Sequence, residues 1–140
     1  MSAIELPASH QLAEIAAAFH LRLIVLFGST VRGYTHSESD MDVGVFVEKK
    51  LTNSKRMALW SQLSRLFPRD VDLSVLNHID PVIAFQIAKE GMVLFEAEPD
   101  AWENWKSYVS RQYWDTEKFR ADLSKFVAER TEEMRYAIAE

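Results

Sequence analysis

The chain has 140 residues, with 16 Lys and Arg against 21 Asp and Glu, a net charge of -5 at pH 7 and no cysteine. That length fits one compact domain. A content of 48% hydrophobic and 26% charged residues speaks against disorder and against a membrane protein, and the missing thiols exclude disulfides, cysteine nucleophiles and thiolate zinc sites.

The opening "MSAIELPASH" has no basic stretch followed by an apolar one, so no signal peptide and a cytoplasmic location are expected. Residues 9 to 19 then place Leu12, Ile15, Ala16 and Phe19 at helical spacing, with Ser9 as a possible N-cap. "LRLIVLF", 21 to 27, ends at Gly28 and reads as a buried strand; a short helix from Ser29, a polar loop and a second strand, "MDVGVFV" at 41 to 47, follow. Next comes a helix in which Met57, Trp60, Leu63 and Phe67 mark one face, closed by Pro68, and a third strand over 71 to 77. Asp80 and Pro81 begin a helix over 81 to 90 with Gly91 as its C′ residue, and "MVLFE" at 92 to 96 is the fourth strand. Roughly 99 to 139 is helical, first with Trp102, Trp105 and Val109 on one side, then with Phe119, Leu123, Phe126, Val127 and Met134, a solvated face with one buried stripe. The reading is an α/β (α+β) domain with a small mixed sheet flanked by helices and a C-terminal helical pair: a core over 1–97, and an extension over 98–140 packed on it as part of a single domain.

Two carboxylates stand out. In a strand, Asp40 and Asp42 point to one face with Cα atoms roughly 6.5 to 7 Å apart. Two charges ~6 Å apart repel by roughly 3 kcal/mol at an effective dielectric of ~20. A divalent cation offsets that cost, and hard oxygen donors suit Mg²⁺, which shares its remaining positions with waters and substrate phosphates. The third strand offers Asp70 and Asp72 as a further pair. Asp72 is favoured as the third ligand because it lies inside the apolar run, where an unpartnered charge is expensive; Asp70 reads as a solvated turn residue beside Arg69. Gly28 lets backbone approach a ligand closely, and a helix starting at Ser29 aims free N–H groups at a phosphate. Arg32 shares a face with Ser29 and reads equally as a phosphate contact or a surface helix residue. Gly-Ser, ten residues, Asp-x-Asp arises by chance in a chain this long on the order of once in 500, so the four residues are read as one site.

Gly28, Ser29, Asp40 and Asp42 resemble the signature of the DNA polymerase β-like nucleotidyltransferase superfamily. "FGSTVRG" with "SESDMDVGVF", "VDLSVLN" and "AKEGMVLFE" is similar to its minimal nucleotidyltransferase branch over about residues 10 to 97, and within it to the antitoxins of HEPN/MNT toxin–antitoxin pairs. The resemblance implies a nucleotidyltransferase fold and a two-metal mechanism. Asp40 and Asp42 would bridge two Mg²⁺ ions, and Asp72 would complete the metal site and help deprotonate the incoming hydroxyl. Gly28 and Ser29 would bind the triphosphate, with Arg32 a phosphate contact. It further implies AMP transfer from ATP to a tyrosine of a HEPN-type toxin partner, a ribonuclease silenced by this AMPylation.

Other readings stay open: a small-molecule, antibiotic-type nucleotidyltransferase, or a non-catalytic antitoxin that blocks its toxin by binding. No Walker A lysine or Gly-x-Gly-x-x-Gly run is present, which disfavours a P-loop or kinase. Only "EKK" at 48 to 50 and "SKR" at 54 to 56 lean basic, so no direct nucleic-acid substrate is expected, while a small anion carried with metal remains open. His36 reads as a solvated loop residue, and His10, His20 and His78 show no metal-ligand spacing. Trp102, Trp105, Tyr108, Tyr113 and Trp114 either pack on the sheet or anchor a protein partner.

Overall fold

The two longest apolar runs become neighbours. In a computed structural model, which describes residues 6–28 and 40–139, β1 (Leu21–Phe27) and β2 (Met41–Val47) pair antiparallel, with Val25 opposite Gly44 and Phe27 opposite Asp42. Both are covered on both faces, which is why neither alternates between apolar and polar residues. β4 (Met92–Glu96) pairs antiparallel with the far side of β1, and β3 (Val71–Val75) pairs parallel with β2, giving the order β3-β2-β1-β4. Parallel neighbours need a crossover; α2 (Asn53–Leu66) supplies it. The expected mixed sheet flanked by helices is the fold observed.

One face of the sheet is covered by α1 (Ser9–Phe19) and α2. Leu12, Ile15, Ala16 and Phe19 meet Ile24, Leu26, Met41, Val43 and Val45 there, joined by Leu59 and Leu63. The other face carries α3 (Pro81–Glu90) and α4 (Ala101–Asp115), whose Ala84, Ile87, Trp102, Trp105 and Val109 pack on Leu23, Val25 and Leu76. Asp80 caps α3 by accepting from Val82 N–H at 2.8 Å, ahead of Pro81 at the first helical position.

Several local expectations are corrected. Ser9 is not the N-cap of α1: Ala8 is, and its N–H donates to Gln11 Oε1 at 3.1 Å, so a glutamine reaching back replaces the serine. In α2 the buried face is Leu59, Leu63 and the following Phe67, not the expected stripe through Met57 and Trp60: Met57 is 71% exposed and Trp60 44%. Trp60 is held by its polar edge instead, donating from Nε1 to Val71 O at 2.7 Å, while Arg56 Nη2 donates to Leu73 O at 3.2 Å. β3 stops at Val75 rather than 77, because the chain turns into a short 3₁₀ helix over 76–78. The Asn77 amide continues the pairing in place of backbone, accepting from Val47 N–H at 2.9 Å and donating to Val47 O at 2.8 Å. Gly91 ends α3 with extended backbone, so it is there for room rather than for a left-handed turn: a methyl would lie 2.6 Å from Ile87 O.

The C-terminal helical pair breaks at Thr116. Its hydroxyl donates to Gln112 O at 3.0 Å, and Arg120 lays its guanidinium 4.0 Å from the Tyr113 ring centre while donating to Tyr113 O at 2.8 Å. Tyr113 stacks in turn on Phe85 of α3, centroids 4.0 Å apart. α4 is thereby fastened to the sheet side of the molecule, with Trp102 N–H donating to Glu96 Oε1 at 2.9 Å at its start. In α5 (Glu117–Ala139) the expected buried stripe is not buried: Phe119, Leu123, Phe126, Val127 and Met134 are each at least half exposed. No helix among the described residues is long and apolar enough to cross a membrane.

Candidate functional site

β1 ends in a backbone conformation that an L side chain rarely adopts. Gly28 has φ +80°, and the register that sets Phe27 opposite Asp42 brings the Asp42 side chain over it. A methyl at Gly28 would fall on Asp42 Oδ2 and stand 2.9 Å from Asp42 Cγ. The glycine is thus required twice, by its φ and by the carboxylate that fills the space where a Cβ would be.

Alternation along β2 sends Met41, Val43 and Val45 into the core under α1 and α2, and Asp42 and Gly44 to the opposite face. On β3, Asp72 is the direct neighbour of Asp42 in the parallel register and shares that face. Asp42 is half-buried and Asp72 exposed, because β3 is the outer strand. The expectation that Asp72 sits in a costly buried setting is therefore corrected: register, not burial, sets it beside Asp42. Asp40 is exposed and precedes β2 by one residue, so it is not itself a strand residue; the entrance is pinned by Met41 N–H donating to Asp70 O at 2.8 Å. Ser29, Arg32 and His36, and the helix expected from Ser29, lie outside the described residues.

Among the described residues, no three carboxylates or imidazoles stand together as a ready metal site. The donors present are two facing carboxylates, Asp42 and Asp72, with Asp40 at the entrance. Hard oxygen donors in small number suit Mg²⁺, which keeps several waters and completes its shell with substrate phosphates. On that chemistry the residues fit the ion.

Sequence reasoning missed one wall of the site. A cleft of about 200 Å³ runs from Phe27 and Gly28 to Ile83, Gln86, Ile87 and Glu90 of α3. Its signal was present in Ile83 and Ile87, four apart on one helix face, of which Ile87 is buried and Ile83 is 51% exposed. The cleft reaches Gly28, on which the Asp42 carboxylate lies. His20, by contrast, is structural: it closes α1 in the left-handed conformation, φ 55°, with its N–H donating to Ala16 O.

Three comparisons bear on this arrangement. A protein adenylyltransferase MntA from Shewanella oneidensis is 35% identical over 80 residues, 57% of this chain, and the chain spans 58% of that relative's length. A crystal structure of a toxin–antitoxin with AMP-PNP superposes with a TM-score of 0.71 at 26% identity, covering 86% of this chain and 98% of the other. Another, of tri-AMPylated Shewanella oneidensis HEPN toxin in complex with MNT antitoxin, reaches 0.65 at 24% identity, covers 86% and 95%, and is a likeness of fold. Residues 10–100, which take in β1, the acidic strands and α3, match the family model described as Polymerase beta, Nucleotidyltransferase, and the chain belongs to that nucleotidyltransferase family.

Proposed function

We propose that the chain is an antitoxin that transfers AMP from ATP to a tyrosine of a cognate HEPN ribonuclease toxin in the cytoplasm. The observation that carries the reading is the left-handed turn at Gly28 set against Asp42, which faces Asp72 across β2 and β3. The likeness to a protein adenylyltransferase and to a toxin–antitoxin with AMP-PNP supports the donor and the class of acceptor. A net charge of -5 argues against a polynucleotide acceptor.

In this reading Gly28 and Ser29 receive the triphosphate, with Arg32 as a further phosphate contact. Asp40 and Asp42, with Asp72, would hold two Mg²⁺ ions. When bound, these would supply charge stabilisation to the attacking and leaving oxygens of an in-line displacement. The tyrosine oxygen bonds to the α-phosphorus, the bond to the bridging oxygen breaks, pyrophosphate departs, and Asp72 takes the phenolic proton. The protein's own contribution is mainly position and charge, which is what phosphoryl-type transfer asks of it.

The test is mass spectrometry of the partner toxin after incubation with this chain, ATP and Mg²⁺, beside the Asp40→Ala, Asp42→Ala double variant. Adenylyl adducts on a toxin tyrosine that fall at least about 10²-fold in the variant are expected, the scale of losing preorganised charge stabilisation. Transfer that survives in the variant would overturn the proposed site. Rapid transfer to an aminoglycoside with no labelled protein would replace the acceptor, and full protection of cells by the double variant would replace transfer with blocking by binding.

A further inference from the structure

The two stretches that lean basic in an acidic chain, 48 to 50 and 54 to 56, have no part in the acidic centre, yet the fold brings them to one place. They flank a cavity of about 570 Å³ where β2 and β3 end, whose lining includes the polar Lys50, Arg56 and His78 and the apolar Leu51, Val75 and Ile79. Glu48 is the single carboxylate among its lining residues. Asp42 lies five residues back along β2 from Val47, about 17 Å, so this cavity and the acidic centre occupy opposite ends of the same strand pair.

We propose that this cavity binds a small organic anion of mononucleotide size, its phosphate held by Lys50, Arg56 and His78 and its planar body laid on the apolar wall. The volume falls within the range of small-molecule sites, and an apolar wall with a few converging polar groups is their usual make-up. Arg56 is prepared for the part. One of its nitrogens is held by Leu73 O at 3.2 Å, which fixes the guanidinium at the cavity while leaving its other N–H groups for an anion. Asn77 is held to Val47 through both ends of its amide on the same rim, which keeps that part of the cavity in shape. The cations here carry the sign opposite to the net charge of the chain, which favours an anion over a cation as the ligand of this end.

The test uses the full chain carrying Asp40→Ala and Asp42→Ala, in EDTA, so that the acidic centre and its metal are out of play. Calorimetric titration with AMP is expected to show one site with Kd below about 1 mM. Adding Lys50→Glu, an exposed position away from the acidic centre, is expected to weaken it at least about tenfold, with adenosine and inorganic phosphate each weaker than AMP by a similar factor. Absence of AMP binding, AMP binding unmoved by Lys50→Glu, or inorganic phosphate binding as tightly as AMP would each overturn the proposal. Transfer activity of the otherwise unaltered chain with Lys50→Glu is expected to stay the same.

Discussion

Gly28→Ala is expected to cost about 2–6 kcal/mol of stability and to stop the proposed AMP transfer, and about half of its stability cost is expected to vanish when Asp42 is also shortened. Two penalties combine at this residue. The backbone at φ +80° strains any L side chain by about 1–3 kcal/mol, and the new methyl must displace the Asp42 carboxylate, an overpacking cost of a further ~1–3 kcal/mol. Only the second depends on Asp42. In the Asp42→Ala background the alanine meets no carboxylate, so Gly28→Ala there should cost about 1–3 kcal/mol, the strain alone. Urea unfolding of the four proteins of this cycle checks it: a coupling of at least about 1 kcal/mol is expected, and additive costs would mean that the turn and the carboxylate do not share space. On the proposed function, transfer is expected to be lost in both single variants for one reason, since Asp42 is either absent or pushed aside.

In α2, Leu59→Ala and Leu63→Ala are each expected to cost about 2–5 kcal/mol, whereas Met57→Ala should stay within about 0.5 kcal/mol. Leu59 and Leu63 are completely buried against the β2 side of the sheet, and truncating either leaves a cavity that close-packed neighbours fill only in part. Met57, at 71% exposure, leaves nothing behind. Thermal or urea unfolding of the three variants is the measurement. A Met57→Ala loss equal to that of Leu59→Ala would restore the face the sequence suggested.

That contrast shows how far the sequence could be read. β1 and β2 were legible because strands covered on both faces must be apolar throughout, and few other settings tolerate "LRLIVLF". α3 was legible from one cap, Asp80 before Pro81. α2 was legible as a helix and in Leu63 and Phe67, but its full buried face was not, because Trp60 counts as apolar in any periodicity while its indole N–H serves β3 from a half-exposed position. The end of β3 was hidden for a similar reason: the Asn77 amide imitates a strand residue while its backbone has turned away. At the site, the i, i+2 spacing of Asp40 and Asp42 could be seen in one dimension. That Asp72 joins them was expected if the third strand lies beside the second, as it does; the exact register of Asp42 with Asp72 and the closeness of Asp42 to Gly28 could not be seen, since both depend on strand order and alignment. The wall at Ile83 belongs to a helix that reaches the site from more than fifty residues along the chain.

The bonds from Trp60 and Arg56 to β3 have a consequence for how the molecule keeps to itself. An outermost strand carries a row of outward carbonyls that can recruit a strand from another chain. Here the outward carbonyls of Val71 and Leu73 already accept from α2. The crossover that made the parallel pair possible also closes the border of the sheet. A bulky indole and a charged guanidinium stand where an incoming strand would have to lie, so self-association by sheet extension is hindered on this side without a proline or a bulge, on a strand that is already short. The half-exposed tryptophan, which on hydropathy alone would count as a liability, is part of what protects the chain from aggregation.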